Sequence, residues 1–319
     1  MNLIQTFKND KISVFFNGGK DSIVLLDLIK HIFDLSQIFV VYVTKYNEFP
    51  EVEEYVEKIT KKYNLNLIKS HDMKTAIRDL VNNYQITHAF TGIRSTDPYG
   101  SKTSLIQKTD SDWPQITLVN PILNWTYNEI WSYILNNNLE YCTLYDKGYT
   151  SLGQTNNTFK NYLLFDIDKN SYLPAFNLTY LSLDSDLNER IGRPDINLPI
   201  FLEGEVTHGN KKGRELGFRT ANILLESNIN LIYGVYYGTL EFNNEIKKFV
   251  MSYGPNIHFD AINKTLELHI LDLEIEDFYG KILKFEVKGY IRKMDKFINL
   301  EELVKSIQKD IRIARYNLQ

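Results

Sequence analysis

The sequence predicts two joined domains, an α/β domain built on a parallel sheet followed by a small antiparallel β domain. Three observations lead there. The 319 residues suit about two domains at roughly 150 residues each. From Lys11 to Asn137, β-type apolar runs alternate with helical patterns, as in crossover units whose parallel sheet is covered on both faces. After Pro199, short β-type runs recur with almost no helix between them, which suits an antiparallel barrel or sandwich.

KISVFF (11–16) reads as a buried strand, NGGKDS as a glycine turn and about 20–34 as an amphipathic helix. IFVVYVT (38–44) is a second strand, EVEEYVEKITKKY (51–63) a charged helix and NLIKS (66–70) a short strand. MKTAIRDLVNNY (73–84) reads as a helix and HAFTGI (88–93) as a strand. An irregular stretch runs from Arg94 to Gln115, and such a stretch inside a compact domain is usually functional. ITLVNPIL and YNEIWSYILNN complete the pattern as strand and helix. Texture changes near Asn188, where NERIGRPDINLPI holds two prolines and a glycine. The expected domains are therefore 1–193 and 198–319. The second carries the runs FLEGEVT, YGVYYGTLEF, KKFVMSYG, KTLELHILDL and KILKFEVKGYI, then a helix over about 299–316 with Leu303, Ile307, Ile311 and Ala314 at helical spacing.

Composition excludes several classes. The net charge of −4 gives no basic footprint for nucleic acid, so an anionic substrate needs a local site. Apolar runs are too short to span a bilayer, and Met1–Asp10 lacks signal-peptide order. The one cysteine, Cys142, allows no intramolecular disulfide and reads best as a small packed side chain. No HExxH or CxxC occurs among the residues, which argues against a protein-held zinc or iron–sulfur site. A cytoplasmic protein of small-molecule chemistry is expected; oligomeric state is not legible.

Phe15-Phe16-Asn17-Gly18-Gly19-Lys20-Asp21-Ser22 follows a strand and opens a helix. Adjacent glycines let successive N–H groups converge, and the helix start adds positive potential. That suits a pyrophosphate, although a plain capped turn would share the pattern. It is not a Walker motif. The run resembles the SGGKDS loop of the ATP-pyrophosphatase (PAPS reductase-like, Rossmann-like) superfamily. Further runs are similar to eukaryotic-type FMN adenylyltransferases (FAD synthetases): Thr91-Gly92-Ile93-Arg94-Ser95-Thr96-Asp97-Pro98-Tyr99-Gly100, Thr109-Asp110-Ser111-Asp112-Trp113-Pro114, Asn120 to Trp125, Tyr141 to Asp146, Gly148 to Gly153, Pro174-Ala175 and Glu189-Arg190-Ile191-Gly192-Arg193. Sulfonucleotide reductases and cluster-bearing thiolating enzymes need cysteines this chain lacks.

The second half holds Gly204 to Asn222, with Gly209, Gly213, Arg214, Thr220 and Asn222, which resembles the riboflavin kinase pattern ending in P-T-A-N. Tyr233 to Gly238, Leu266 to Leu271, Asp277 to Gly280 and Gly289 to Arg292 are similar to that family's other motifs. The resemblance implies a six-stranded antiparallel barrel. Arg219 stands where that family has proline, which removes a backbone restraint and adds a charge.

The two resemblances imply roles. Asn17, Gly18, Gly19, Lys20, Asp21 and Ser22 would hold ATP, and Asp21 and Asp97 would sit near the reacting phosphates, with Asp97 a Mg2+ ligand. Arg190 and Arg193 would clamp the FMN phosphate; Arg94, Asp110 and Trp113 would line the flavin site. In the barrel, Gly209, Gly213, Arg214, Thr220 and Asn222 would bind ATP, Thr220 and Asn222 also Mg2+. Glu267 would be the general base, and Arg292 would lie on the flavin side. The ligands implied are ATP, Mg2+, riboflavin, FMN and FAD, with no nucleic acid and no membrane. Two readings stay open: a bifunctional enzyme making FMN and then FAD, or an FMN adenylyltransferase whose barrel binds flavin without catalysis. Retention of Glu267, Thr220 and Asn222 favours the first; Arg219 favours the second.

Overall fold

A computed structural model describes residues 2–208, 217–225, 229–256, 261–273 and 278–319. Among these residues the chain forms two compact units: 2–147 with 151–155 and 175–189, and 148–150 with 156–174 and the chain from Arg190 onward.

In the first unit a short α1 (Asn2–Gln5) precedes β1 (Ile12–Phe15), α2 (Lys20–Lys30), β2 (Phe39–Val43), α3 (Pro50–Lys62), β3 (Asn66–Ser70), α4 (Met73–Tyr84) and β4 (His88–Phe90). Then come β5 (Ile106–Lys108), β6 (Thr117–Val119), α5 (Tyr127–Asn136), α6 (Leu178–Leu181) and α7 (Ser185–Asn188). Local chemistry sets the helices. Pro50 opens α3, with Glu51 and Glu53 in its first turn and Lys61 and Lys62 in its last. Val52, Tyr55, Val56 and Ile59 form its buried face, the spacing of one helical stripe. Asp72 accepts the Lys74 and Thr75 N–H groups at the start of α4, and Thr126 with Glu129 makes a capping box on α5. Helix α2 stops at Lys30, short of the expected Phe33–Asp34, because Asp34 instead accepts the Ser36 N–H and starts a 3₁₀ turn.

The strand order is β3-β2-β1-β4-β6-β5. All pairings are parallel except that of β5 with β6. Strand β5 corrects the expectation of an irregular 94–115; as Ile-Gln-Lys on the sheet edge it carries little β signal, and its pairing with β6 creates it. The chain runs from β1 out to β2 and β3, then returns to β4 on the other side of β1. That reversal leaves a crevice beyond the carboxyl ends of β1 and β4, the usual ligand position in open α/β sheets. The Asn17–Ser22 loop leaves β1 there, and Thr91–Arg94 leaves β4.

The second unit holds a hairpin of β7 (Phe165–Asp166) and β8 (Ser171–Tyr172), strands β9 (Ile200–Thr207), β10 (Ala221–Leu225), β11 (Gly234–Phe242), β12 (Glu245–Asn256), β13 (Ala261–Ile270) and β14 (Ile282–Lys293), and α8 (Leu300–Asn317). Strands β9 to β14 close an antiparallel barrel in the order β10-β13-β12-β11-β14-β9. Leu283, Phe285 and Val287 point inward along β14 while Ile282 and Lys284 face out, the two-residue period of a barrel wall. Tyr236, Phe249, Met251, Leu268 and Val287 are fully buried. The sixth strand, β10, lies inside the Gly204–Asn222 run and its continuation, not among the five β-type runs read from composition.

Chain from before the expected border at 193–198 packs in this unit. Phe159, Ile196 and Leu198 belong to the barrel's apolar core, the Phe159 and Tyr290 rings lie 6.2 Å apart, and Phe165 and Tyr172 surround Tyr316 of α8. Aromatic packing, not the proline-rich border, decides which unit these segments join. On α8 the deepest residues are Asp310, Ile313 and Ala314, so the expected stripe is turned towards an acidic residue that finds a buried partner.

Candidate active sites

Gly18 has φ +74°, a conformation open to glycine and costly for other residues, and this turns the chain from β1 into α2. The Gly19 N–H donates to Asn17 Oδ1 at 2.9 Å. No side chain caps α2, so the expected alternative, a plain turn capped by Asp21 or Ser22, is absent: Ser22 Oγ instead donates to the Gly19 carbonyl. The Lys20 N–H donates to the Tyr145 hydroxyl at 2.9 Å.

Behind this loop lies a buried ionic cluster. Lys20 Nζ is 2.8 Å from Asp21 Oδ2 and also donates to Glu189 Oε1. Arg94, 1 % exposed, reaches Asp21 through Nε at 2.8 Å, Asp186 through Nη1 at 2.9 Å and Glu189 through Nη2. Asp186 also accepts the Tyr127 N–H at the start of α5, and the Lys20 ammonium lies 5.3 Å from the Tyr127 ring centroid. Burial opposes every charge here. It acts to lower Lys20, but Asp21 and Glu189 outweigh it and hold the ammonium above its usual range. It acts to raise Asp21, but Lys20 and Arg94 hold that carboxyl below its usual range. Glu189 stays raised, because burial exceeds the pull of the same cations.

The remaining N-terminal candidates are more open. Asp97, half-buried, accepts the Arg94 N–H at 2.9 Å through Oδ2. Its turn closes on Gly100, where a β-carbon would lie 1.8 Å from the Arg94 carbonyl oxygen, so only glycine fits. Asp110 is exposed in the loop joining β5 and β6, and Trp113 of the same loop is half-buried against the cluster of Val41, Ala76, Ile77, Leu80, Ile86, Ala89 and Ile116. Lys74 Nζ stands 5.6 Å from the Trp113 ring centroid. Arg190 and Arg193 belong to the second unit, where Arg193 Nε donates to the Asn157 carbonyl at 3.3 Å. Arg94, expected on the flavin side, is turned inward and engaged by the chain's own carboxylates.

In the barrel, β10 and β13 pair so that Asn222 stands opposite Glu267. The Thr220 hydroxyl donates to Glu267 Oε2 at 3.2 Å. Burial pushes the Glu267 carboxyl above its usual value, partly offset by that hydrogen bond. Arg219 is exposed, and its carbonyl oxygen lies 2.8 Å from His269 Nδ1. Arg292 is 5 % exposed and makes a bidentate pair with Asp310, Nε to Oδ1 at 3.0 Å and Nη2 to Oδ2 at 2.7 Å. It too faces the chain's own carboxylate. Gly209, Gly213 and Arg214 lie outside the described residues.

Cys142 is buried, and burial pushes its thiol up to about 11, the environment of an inert packed thiol. Among the described residues no three histidine, cysteine, aspartate or glutamate side chains gather to hold a metal, and no helix is long and apolar enough to cross a membrane. Sequence reasoning assigned no role to Glu189, Asp186 or Tyr145. Glu189 heads the Glu189–Arg193 run, but its partners are 95 and 169 residues away and share no period with it.

Comparisons with known proteins match the two halves of the chain to different families. The family model for the Phosphoadenosine phosphosulfate reductase domain matches residues 11–81 and 67–160, and that for Riboflavin kinase matches 196–318. A "Probable FAD synthase" of Schizosaccharomyces pombe is 38% identical over 201 residues, 59% of this chain and 74% of the relative. A "Riboflavin kinase" of Mus musculus is 37% identical over 128 residues, 38% of this chain and 83% of the relative. The solved structure of Candida glabrata FMN adenylyltransferase in complex with FMN and the ATP analogue AMPCPP matches with a TM-score of 0.52 and 26% identity, covering 60% of this chain and 88% of that one.

Proposed function

Since the chain belongs to the FAD synthase family and, through its barrel, to the riboflavin kinase family, we propose that it makes FAD from riboflavin in two ATP-dependent steps. The barrel phosphorylates riboflavin to FMN, and the α/β domain adenylylates FMN with release of pyrophosphate. The observation that carries the reading is the presence, in one chain, of an uncapped glycine loop at the sheet's switch point and a half-buried carboxylate hydrogen-bonded to the threonine of the kinase-like run.

In the adenylyl transfer the FMN phosphate oxygen attacks the ATP α-phosphorus and pyrophosphate leaves. The phosphate is already ionised near neutral pH, so the site needs charge and alignment rather than a base. Asn17, Gly18, Gly19 and Ser22 hold the ATP phosphates, while Lys20, its ammonium engaged by Asp21 and Glu189, braces the loop from behind. Arg190 and Arg193 serve the FMN phosphate, and Asp110 and Trp113 the isoalloxazine. Mg2+ enters with ATP as part of the substrate. Asp21, lying between two cations, suits it poorly; Asp97 is the better oxygen donor.

In the kinase step a ribityl hydroxyl attacks the γ-phosphorus, the bond from that phosphorus to the β,γ-bridging oxygen breaks, and ADP leaves. Its proton must leave as the P–O bond forms, and Glu267 accepts it. Thr220 and Asn222 beside Glu267 supply the hard oxygen donors that Mg2+ of the incoming nucleotide prefers. The resemblance gives Gly209, Gly213 and Arg214, outside the described residues, to ATP as well.

Incubation with riboflavin, Mg2+ and ATP, followed by chromatography of the flavins, tests this. FMN should appear first and FAD after it. FAD from supplied FMN with none from riboflavin would replace the reading with that of an adenylyltransferase carrying a flavin-binding barrel, the reading Arg219 favours.

A further inference from the structure

The buried cluster behind the nucleotide loop contains a carboxylate that none of the roles above uses. Glu189 comes 169 residues after Lys20, just beyond α7, yet its two oxygens take the Lys20 ammonium and the Arg94 Nη2 separately. Its side chain is 4 % exposed. Lys20 opens the helix that carries the nucleotide loop, and Arg94 lies on the chain leaving β4, beside the Asp97 turn. Glu189 is therefore a tie between the two segments that flank the switch-point crevice.

We infer that Glu189 is a positioning residue for adenylyl transfer: it fixes the Lys20 ammonium and the Arg94 guanidinium so that the nucleotide loop and the Asp97 turn keep one geometry. This rests on the adenylyltransferase reading of the same site. The argument is one of charge. Asp21 contacts both cations, and Asp186 contacts Arg94 alone. Without Glu189 the two cations keep only Asp21 as a shared counter-ion. A buried cation that loses a partner moves or deprotonates, because the low-dielectric interior does not tolerate an unpaired charge. Among the described residues the titratable and charged groups facing Lys20 are Asp21 on its own helix, Glu189, Arg94, the ring of Tyr127 on α5, and the Tyr145 hydroxyl at its backbone N–H; of these the two carboxylates stabilise its charge strongly.

Glu189→Gln keeps size and removes the charge. FAD formation from supplied FMN and ATP should fall by about 10–100-fold, the usual loss when a group that orients a site's ligands is removed. FMN formation from riboflavin by the same preparation should be unchanged, which reports a folded protein. The alkaline limb of FAD formation should also move to lower pH, because Lys20 loses one of the two carboxylates that keep it protonated. Glu189→Asp should recover part of the rate and return the limb towards its original position. Wild-type kcat/KM in Glu189→Gln, or a lowered rate with an unmoved alkaline limb, overturns the inference. If Glu189→Gln fails to fold, Glu189→Asp carries the test, and a folded Glu189→Asp with a wild-type profile and rate overturns it equally. A wild-type protein that makes no FAD from FMN removes the adenylyltransferase reading itself, a distinct result seen before any variant is made.

Discussion

The Thr220 hydroxyl and Glu267, 47 residues apart in the chain, meet at 3.2 Å where β10 and β13 pair. The hydrogen bond holds the carboxylate beside the barrel run whose residues suit a bound nucleotide, and partial burial keeps the carboxylate weakly hydrated. Both effects bear on a base that must take a proton from an alcohol.

Glu267→Gln keeps shape and hydrogen bonding but removes the basic site. FMN formation should drop by about 10²–10⁴-fold, the ordinary contribution of a general base, while adenylylation of supplied FMN stays intact. A variant that still makes FMN at the wild-type rate assigns the proton to another group.

The pH dependence of the kinase step follows from the same residue. Burial raises the Glu267 carboxyl above its usual 4.5, and only the ionised form accepts a proton. FMN formation should therefore fail as pH drops through a value above that of a free glutamate, and recover as pH rises. The kcat/KM profile for riboflavin should place this acid limb higher than 4.5, and the limb should vanish from the residual activity of Glu267→Gln.

Asp97→Ala and Arg193→Ala should each lower FAD formation from FMN by about 10²–10³-fold, as expected for loss of a preorganised charged group. Riboflavin phosphorylation, measured in the same samples, should hardly change. Near-normal FAD synthesis by either variant removes that residue from the reaction.

Asp310→Ala leaves the buried Arg292 guanidinium without its bidentate partner. Breaking a buried pair from one side costs about 3–5 kcal/mol, so the barrel's unfolding midpoint in urea should fall sharply. Replacing Arg292 and Asp310 together by Met and Leu should recover most of that loss, because no unpaired charge remains. Equal instability of the single and double variants would mean that packing, not charge, is the source.

Much of the fold was legible because short-range physics writes it. The stripe Val52, Tyr55, Val56, Ile59 announces α3, and the alternation through Leu283, Phe285 and Val287 announces a barrel wall. Strands β5 and β10 were not read from composition because their residues carry little β preference; neighbouring strands supply the hydrogen bonds that make them strands. The assignment of 156–174 to the barrel's unit rests on the rings of Phe159, Phe165 and Tyr172 finding Tyr290 and Tyr316, contacts with no local signature.

The candidate sites divide in the same way. The sequence pointed to the two chemistries through its resemblances, because the motifs that carry them, Asn17–Ser22 and the Thr220–Asn222 run, are contiguous. Tertiary structure alone decided which charges remain for ligands. Arg94 and Arg292, expected to face flavin, are turned inward to Glu189 and Asp310, since a buried guanidinium must find a carboxylate and its partner can come from anywhere in the chain. Glu189 became visible only in three dimensions for the same reason: electrostatic pairing depends on distance in space, and the fold, not the local pattern, sets that distance.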